Sequence, residues 1–146
     1  MAKIIDRFDG EYRFLSNFWR CAIWYGGSVY QNAEAAFQSA KCQDPAEKAQ
    51  FAGMTDPGTA KRAGRRVKLR PDWENIKIGV MTDIIRAKFA PGSDLADRLL
   101  ATGDAELIEG NTWNDRFWGV CNGQGRNELG KILMKIRSEL RSSQHK

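Results

Sequence analysis

Histidine is almost missing from this chain. The one copy, His145, is the second-last of 146 residues, so imidazole catalysis and His-containing metal sites have nothing to be built from. Cysteine is sparse too: Cys21, Cys42 and Cys121 are odd in number and none forms a Cys-x-x-Cys pair. The expectation is reduced thiols in a cytoplasmic protein rather than a disulfide framework. No apolar run approaches the roughly 20 residues of a membrane span. Charges at Lys3, Asp6 and Arg7 stand where a signal peptide needs an apolar stretch. Scattered carboxylates without clustered Cys or His are insufficient grounds for a metal, and no cofactor is expected.

What the chain does contain is 42% apolar and 28% charged residues, the balance of a soluble globular protein of one domain. The net charge of +5 is uneven. Lys61, Arg62, Arg65, Arg66, Lys68 and Arg70 fall together in 61–70 with no acid among them, so the remainder of the chain carries a net −1. A local basic patch calls for a local anion, whereas a uniformly basic surface would coat a long polyanion.

The first 31 residues read as short strands and turns. One strand begins at Ile4-Ile5, and two more, 21–25 and 28–31, flank Gly26-Gly27, a two-residue hairpin signal. Helices are predicted over 32–42 with Asn32 as the cap, 45–53 and 57–67 with proline in the first turn, 72–89, 94–102 and 127–142. The spans 106–109 and 117–120 read as short strands. The fold class is α+β, predominantly helical, one domain with a small N-terminal β element and no repeat or linker.

Within the 32–42 helix, Glu34, Gln38 and Lys41 are spaced four and then three residues apart, which places a carboxylate, an amide and an ammonium on one face. Spacing alone admits two readings. One is a solvated polar face with a weak salt link. The other is a partly buried carboxylate with a cation in reach and a perturbed titration. The basic segment is likewise either a solvated helix face or a phosphate site with Arg62 or Arg65 as a bidentate donor. Gly64 inside it costs helix stability and permits a close approach.

Three further segments stand out. The loop 109–119 mixes Glu109, Asn111, Asn114 and Asp115 with Trp113, Phe117 and Trp118, so it suits stacking on a base or sugar as well as plain turn chemistry. Gly123-Gln-Gly-Arg-Asn precedes the last helix, and Arg126 beside exposed amides is a candidate anion site. Its glycines fit neither a phosphate-binding loop nor a dinucleotide fingerprint. In Phe14-Leu-Ser-Asn-Phe, Asn17 is either a structural bracket or a ligand contact.

Taken in order, these pieces resemble the NADAR/YbiA-like N-glycosidase family. The matching motifs are Leu15-Ser-Asn-Phe, Glu34-x-x-Phe-Gln-x-x-Lys, Lys61-Arg-x-Gly-Arg, Arg70-x-Asp-Trp, Lys77-x-x-Val-Met, Arg86-Ala-Lys-Phe, Leu99-Leu-x-Thr-Gly, Asn114-Asp-x-x-Trp-Gly, Gly123-x-Gly-x-Asn-x-Leu-Gly and Leu133-Met-x-Ile-Arg. The resemblance implies hydrolysis of an N-glycosidic bond between ribose and a base-like amine. The substrates it implies are phosphoribosylamino-pyrimidine intermediates of riboflavin synthesis or ADP-ribose attached to a nucleobase, free or on DNA. Its functional residues fall on Glu34, Trp73 and Asp115, with Lys41 a further candidate. The substrate contacts are expected at Trp73, Asn17, Gln38, Arg62, Arg65, Asn111, Trp118, Gly119, Arg126 and Asn127. Ala35 departs from a bulky residue common at that place, which bears on the substrate more than on the reaction.

Such chemistry needs a carboxylate beside an oxocarbenium-like C1′ and a proton for the departing amine. Glu34 is expected as acid/base and Asp115 as the group stabilising C1′ or activating water, with exchange of roles open. Lys41 is alternatively an imine-forming amine. These roles require 34, 41, 73 and 115 to share one hollow. The rival class is a non-catalytic nucleic-acid binder using the 61–70 segment and the tryptophans as stacking platforms.

Overall fold

A computed structural model describes residues 3–144, leaving His145 outside the described residues. It divides into two compact units, one comprising Asn17–Lys88 and the other the chain before and after it.

In the Asn17–Lys88 unit, strands β2 (Arg20–Tyr25) and β3 (Ser28–Asn32) form an antiparallel hairpin with Ile23 opposite Tyr30 and a bulge between Arg20 and Ile23. Gly26 and Gly27 turn it at φ of 60° and 83°, a conformation that side chains resist. The chain then enters α1 (Ala33–Ser39). Asn32 caps this helix by accepting from the Ala35 amide at 2.7 Å, while its own amide group donates to the carbonyls of Met54 and Thr55. Every residue of α1 is buried, so it runs through the interior with neighbours all round. Those neighbours are the hairpin, α2 (Pro45–Ala52), α3 (Pro57–Gly64) and α4 (Trp73–Lys88). Aspartates 44 and 56 cap α2 and α3, each followed by the proline expected at the first helical position. The apolar stripe of α4 puts Trp73, Val80, Met81, Ile84 and Ile85 inside. Lys88 falls on the same stripe and is 3% exposed.

The other unit opens with β1 (Ile4–Ile5), parallel to β4 (Glu106–Leu107), and contains α5 (Asp94–Leu100) and α6 (Glu128–Gln144). Leu129, Ile132, Leu133, Ile136 and Leu140 of α6 are buried, the face expected from their spacing. Arg137 joins them and donates to the Thr102 hydroxyl and the Ala105 carbonyl, both at 2.8 Å. A short parallel pair, β5 (Gly110–Asn111) with β6 (Val120–Cys121), completes the unit.

Three expectations are corrected. The N-terminal stretch is not only strands and turns: Gly10–Leu15 is a 3₁₀ helix that buries Phe14 and Leu15. The helix predicted over 57–67 stops at Gly64, where the Arg65 and Arg66 amides tighten onto the carbonyls of Arg62 and Ala63. The strand predicted over 117–120 survives only at its end. Asp115 Oδ1 accepts from the amides of both Phe117 and Trp118, at 3.1 and 3.0 Å, bending the chain there.

Candidate active site

The α1 face carries buried polar chemistry. Glu34 is 8% exposed and Gln38 5%, so the solvated reading of this face does not hold. Glu34 is seated from two directions. Its backbone amide donates to the Asn17 carbonyl at 3.1 Å, and Gln38 Nε2 donates to its Oε1 at 3.0 Å, one helical turn along. The far end of Gln38 lies against Gly64 of α3, where any side chain would overlap Gln38 Oε1. Gly64 therefore serves a close approach, made by this glutamine rather than by a ligand.

Lys41 follows α1. Its ammonium is 5.9 Å from the ring centre of Phe37 and 6.0 Å from that of Trp73. Those two rings are 5.1 Å apart and tilted by 57°. Burial pushes the Lys41 ammonium below its ordinary range; the Glu34 charge opposes this, and Arg65 and Lys77 add to it. An amine held over aromatic faces beside a carboxylate is a group whose proton is easily exchanged with substrate. Trp73 itself is 5% exposed. The ring is covered and forms the wall along which Lys41 lies.

Asn17 belongs to the same neighbourhood. Its backbone carbonyl holds Glu34, its amide group donates to the Met81 sulfur at 3.5 Å, and its Oδ1 has no hydrogen-bond partner among the described residues. Around them the basic segment is exposed, but unequally committed. Arg70 makes a two-pronged bond to Asp72 at 2.7 and 3.2 Å. Arg62 is 4.0 Å from Asp56 and donates to Thr59 at 3.3 Å, with its side chain 64% exposed. Arg65, exposed at the end of α3, is close enough to Lys41 for their charges to interact.

The remaining expected site residues lie in the other unit, where most are spent on the backbone. Asn111 donates to the carbonyls of Glu109 and Asp115 and to the Glu109 carboxylate, and accepts from the Asp115 amide. Asn127, at φ 54°, accepts from the Glu109 amide at 2.9 Å and donates to the Leu107 carbonyl at 2.9 Å. A side chain at Gly119 would overlap Glu109. Trp118 meets Phe117 edge to face, with ring centres 4.8 Å apart. Arg126 lies 4.6 Å over the Phe117 ring and 3.6 Å from Glu128.

The anion site expected before the last helix is also corrected. The free amides that would form it are taken: Asn127, Glu128 and Leu129 donate to the carbonyls of Gly119, Phe117 and Trp118. Asp115 keeps its carboxylate, with Oδ1 committed to the turn. Thus Glu34, Gln38, Lys41, Trp73 and Asn17 are brought together in one unit, and Asp115, Asn111, Trp118, Gly119, Arg126 and Asn127 belong to the other. The sequence shows that Gly64 permits a close approach but not which residue makes it, and only the helical spacing of Phe37 and Lys41 hints at their contact.

The NADAR domain family model matches residues 6–141, running through both units. The chain belongs to the NADAR family. Among curated NADAR relatives, a riboflavin biosynthesis protein of Vibrio vulnificus is 40% identical over 135 residues, covering 90% of this chain and 36% of that protein. The chain thus spans about a third of that relative's length. N-glycosidase YbiA of Escherichia coli K12 is 38% identical over 133 residues, covering 89% of this chain and 82% of that one. The NMR structure of E. coli YbiA superposes with a TM-score of 0.89 at 34% identity, over 100% of this chain and 90% of that chain. The mixed helical fold with small sheets is therefore that of YbiA. Among the described residues no helix is long and apolar enough to cross a membrane.

Proposed function

We propose that this chain is an N-glycoside hydrolase that separates a nucleobase-like amine from C1′ of a phosphoribosyl or ADP-ribosyl group. The observation that carries the reading is the buried Glu34 carboxylate, held by Gln38 one turn along, with the Lys41 ammonium depressed by burial beside it. The relative named N-glycosidase supports the same bond class, and the one named riboflavin biosynthesis protein is consistent with a riboflavin intermediate as substrate. Hydrolysis breaks the C1′–N bond, leaves the electron pair on nitrogen, adds hydroxide from water to C1′ and delivers one proton to the amine. Glu34 is the acid/base of that exchange, and its charge stabilises the cationic C1′. The exposed Arg62 and Arg65 offer donors to a substrate phosphate.

The resemblance gives Asp115 a share in stabilising C1′ or activating water. Asp115→Asn tests that share, because asparagine keeps the oxygen that accepts from Phe117 and Trp118. The depressed ammonium also favours a second reading, in which Lys41 attacks C1′ of the ring-opened sugar, expels the amine and forms an imine that water then hydrolyses. Borohydride added during turnover separates the two: a sugar adduct on Lys41 supports the imine route, and no adduct supports direct attack by water. The substrate is tested by incubating the purified protein with phosphoribosylamino-pyrimidines and, separately, with DNA carrying ADP-ribosylated guanine. Mass spectrometry of the released base is the readout. Binding to single strands that weakens steeply with salt and yields no product would replace this proposal with the non-catalytic binder.

A further inference from the structure

Gln38 carries an unexplained cost. Its Nε2 reaches Glu34, but its Oε1 is buried without a hydrogen-bond partner among the described residues, an arrangement that folded proteins avoid. A methionine would occupy similar volume with no orphaned acceptor. The opposite side-chain flip would bring the oxygen against the Glu34 carboxylate, so only the amino end suits an ionised partner. The orphaned oxygen is accommodated by Gly64, where the absence of a side chain leaves the space that Oε1, Cδ and Cγ of Gln38 fill. Glycine and glutamine therefore fit each other across α3 and α1, and the glutamine's remaining end meets the carboxylate.

We propose that Gln38 is a positioning residue, seated by Gly64, that holds Glu34 in one orientation and favours its ionised form. This rests on the reading of Glu34 as the acid/base. It moves Gln38 from substrate contact to supporting shell, and it makes the working state of Glu34 at the start of the reaction the carboxylate. The amide donor stabilises charge, so its loss raises the pH at which Glu34 ionises. The cations near this cluster include Lys41 at the end of α1 and the two that act on it, Arg65 at the end of α3 and Lys77 on α4. None of these three is altered by a substitution at 38 or 64.

The experiment compares kcat, KM and their pH dependence in the wild type, Gln38→Met, Gly64→Ala, Gln38→Ala and Gln38→Ala/Gly64→Ala, with Glu34→Gln as the control. Misplacing a reacting group costs on the order of 100-fold. Gln38→Met is expected to lose about that factor in kcat with KM little changed, and to move the acidic limb of the profile upward by about one pH unit. Gly64→Ala should reproduce both effects in the wild type but add almost nothing to Gln38→Ala, where the glutamine it displaces is gone. If Gly64→Ala fails to fold, the Gln38→Met profile decides alone. An inactive Glu34→Gln beside a Gln38→Met enzyme with normal kcat and an unmoved limb overturns the positioning role. An active Glu34→Gln instead removes the acid/base reading on which it rests.

Discussion

The α1 helix and the 109–127 segment each combine acid, amide and aromatic side chains, yet they use those groups in opposite ways. In the loop, Asn111 and Asn127 turn inward to the backbone and satisfy nearly all they can, and Asp115 commits its Oδ1 there. Around α1, Glu34, Gln38 and Asn17 are more deeply buried than Asn111 and Asp115, but two of their oxygens have no partner among the described residues and a lysine is partly stripped of water beside them. Composition does not separate a scaffold from a site. Hydrogen-bond accounting does, because a scaffold closes its bonds while a site keeps some open or strained.

The sharpest way to break this comparison is Glu34→Gln. It should cost roughly 10²–10⁴-fold in turnover with a melting temperature close to the wild type. Asn127→Ala should do the reverse. It removes two bonds in a buried setting from a residue at positive φ, for about 2–4 kcal/mol of stability, measured by urea denaturation. If Asn127→Ala is stable but dead, or Glu34→Gln active but unfolded, the division between scaffold and site is wrong.

Lys88 sharpens the same contrast by pH. Burial pushes its ammonium from 10.5 down to about 7, with Cys21 opposing. Above that point the folded chain holds it neutral, while the unfolded chain keeps the proton up to the ordinary lysine range. The unfolded state therefore binds more protons, and folding stability rises with pH between about 7 and 10.5. Urea denaturation at pH 7, 8 and 9 should show a rise of up to about 1.4 kcal/mol per unit from this group, flattened in Lys88→Met. The smallest effect belongs to Arg62→Ala. Its link to Asp56 is long and exposed, so stability should change by less than about 0.5 kcal/mol. Weaker binding of a phosphate-bearing substrate, read by titration, is the effect the proposal expects.

Much of the scaffold is legible in the residues themselves. Asn32, Asp44 and Asp56 announce their helices by local capping, Gly26-Gly27 its hairpin, and the α6 stripe its buried face. What escapes the sequence is set by partners far along the chain. Residues 117–119 look extended until their carbonyls are claimed by the start of α6. Gly64 reads as a weak point in a helix until Gln38 arrives from α1. Nothing local shows that Phe37 is the ring Trp73 packs against. Glu34, Gln38 and Lys41 are legible as a group from spacing, but whether that face meets water is a tertiary fact.

The most direct test is a single-turnover reaction in ¹⁸O-labelled water, run on wild type and Glu34→Gln with whichever substrate releases its base. The account predicts an unlabelled free base and one ¹⁸O on the released sugar from the wild type, and almost no base from Glu34→Gln. Equal release from both proteins, or binding to every candidate without release by either, would contradict it.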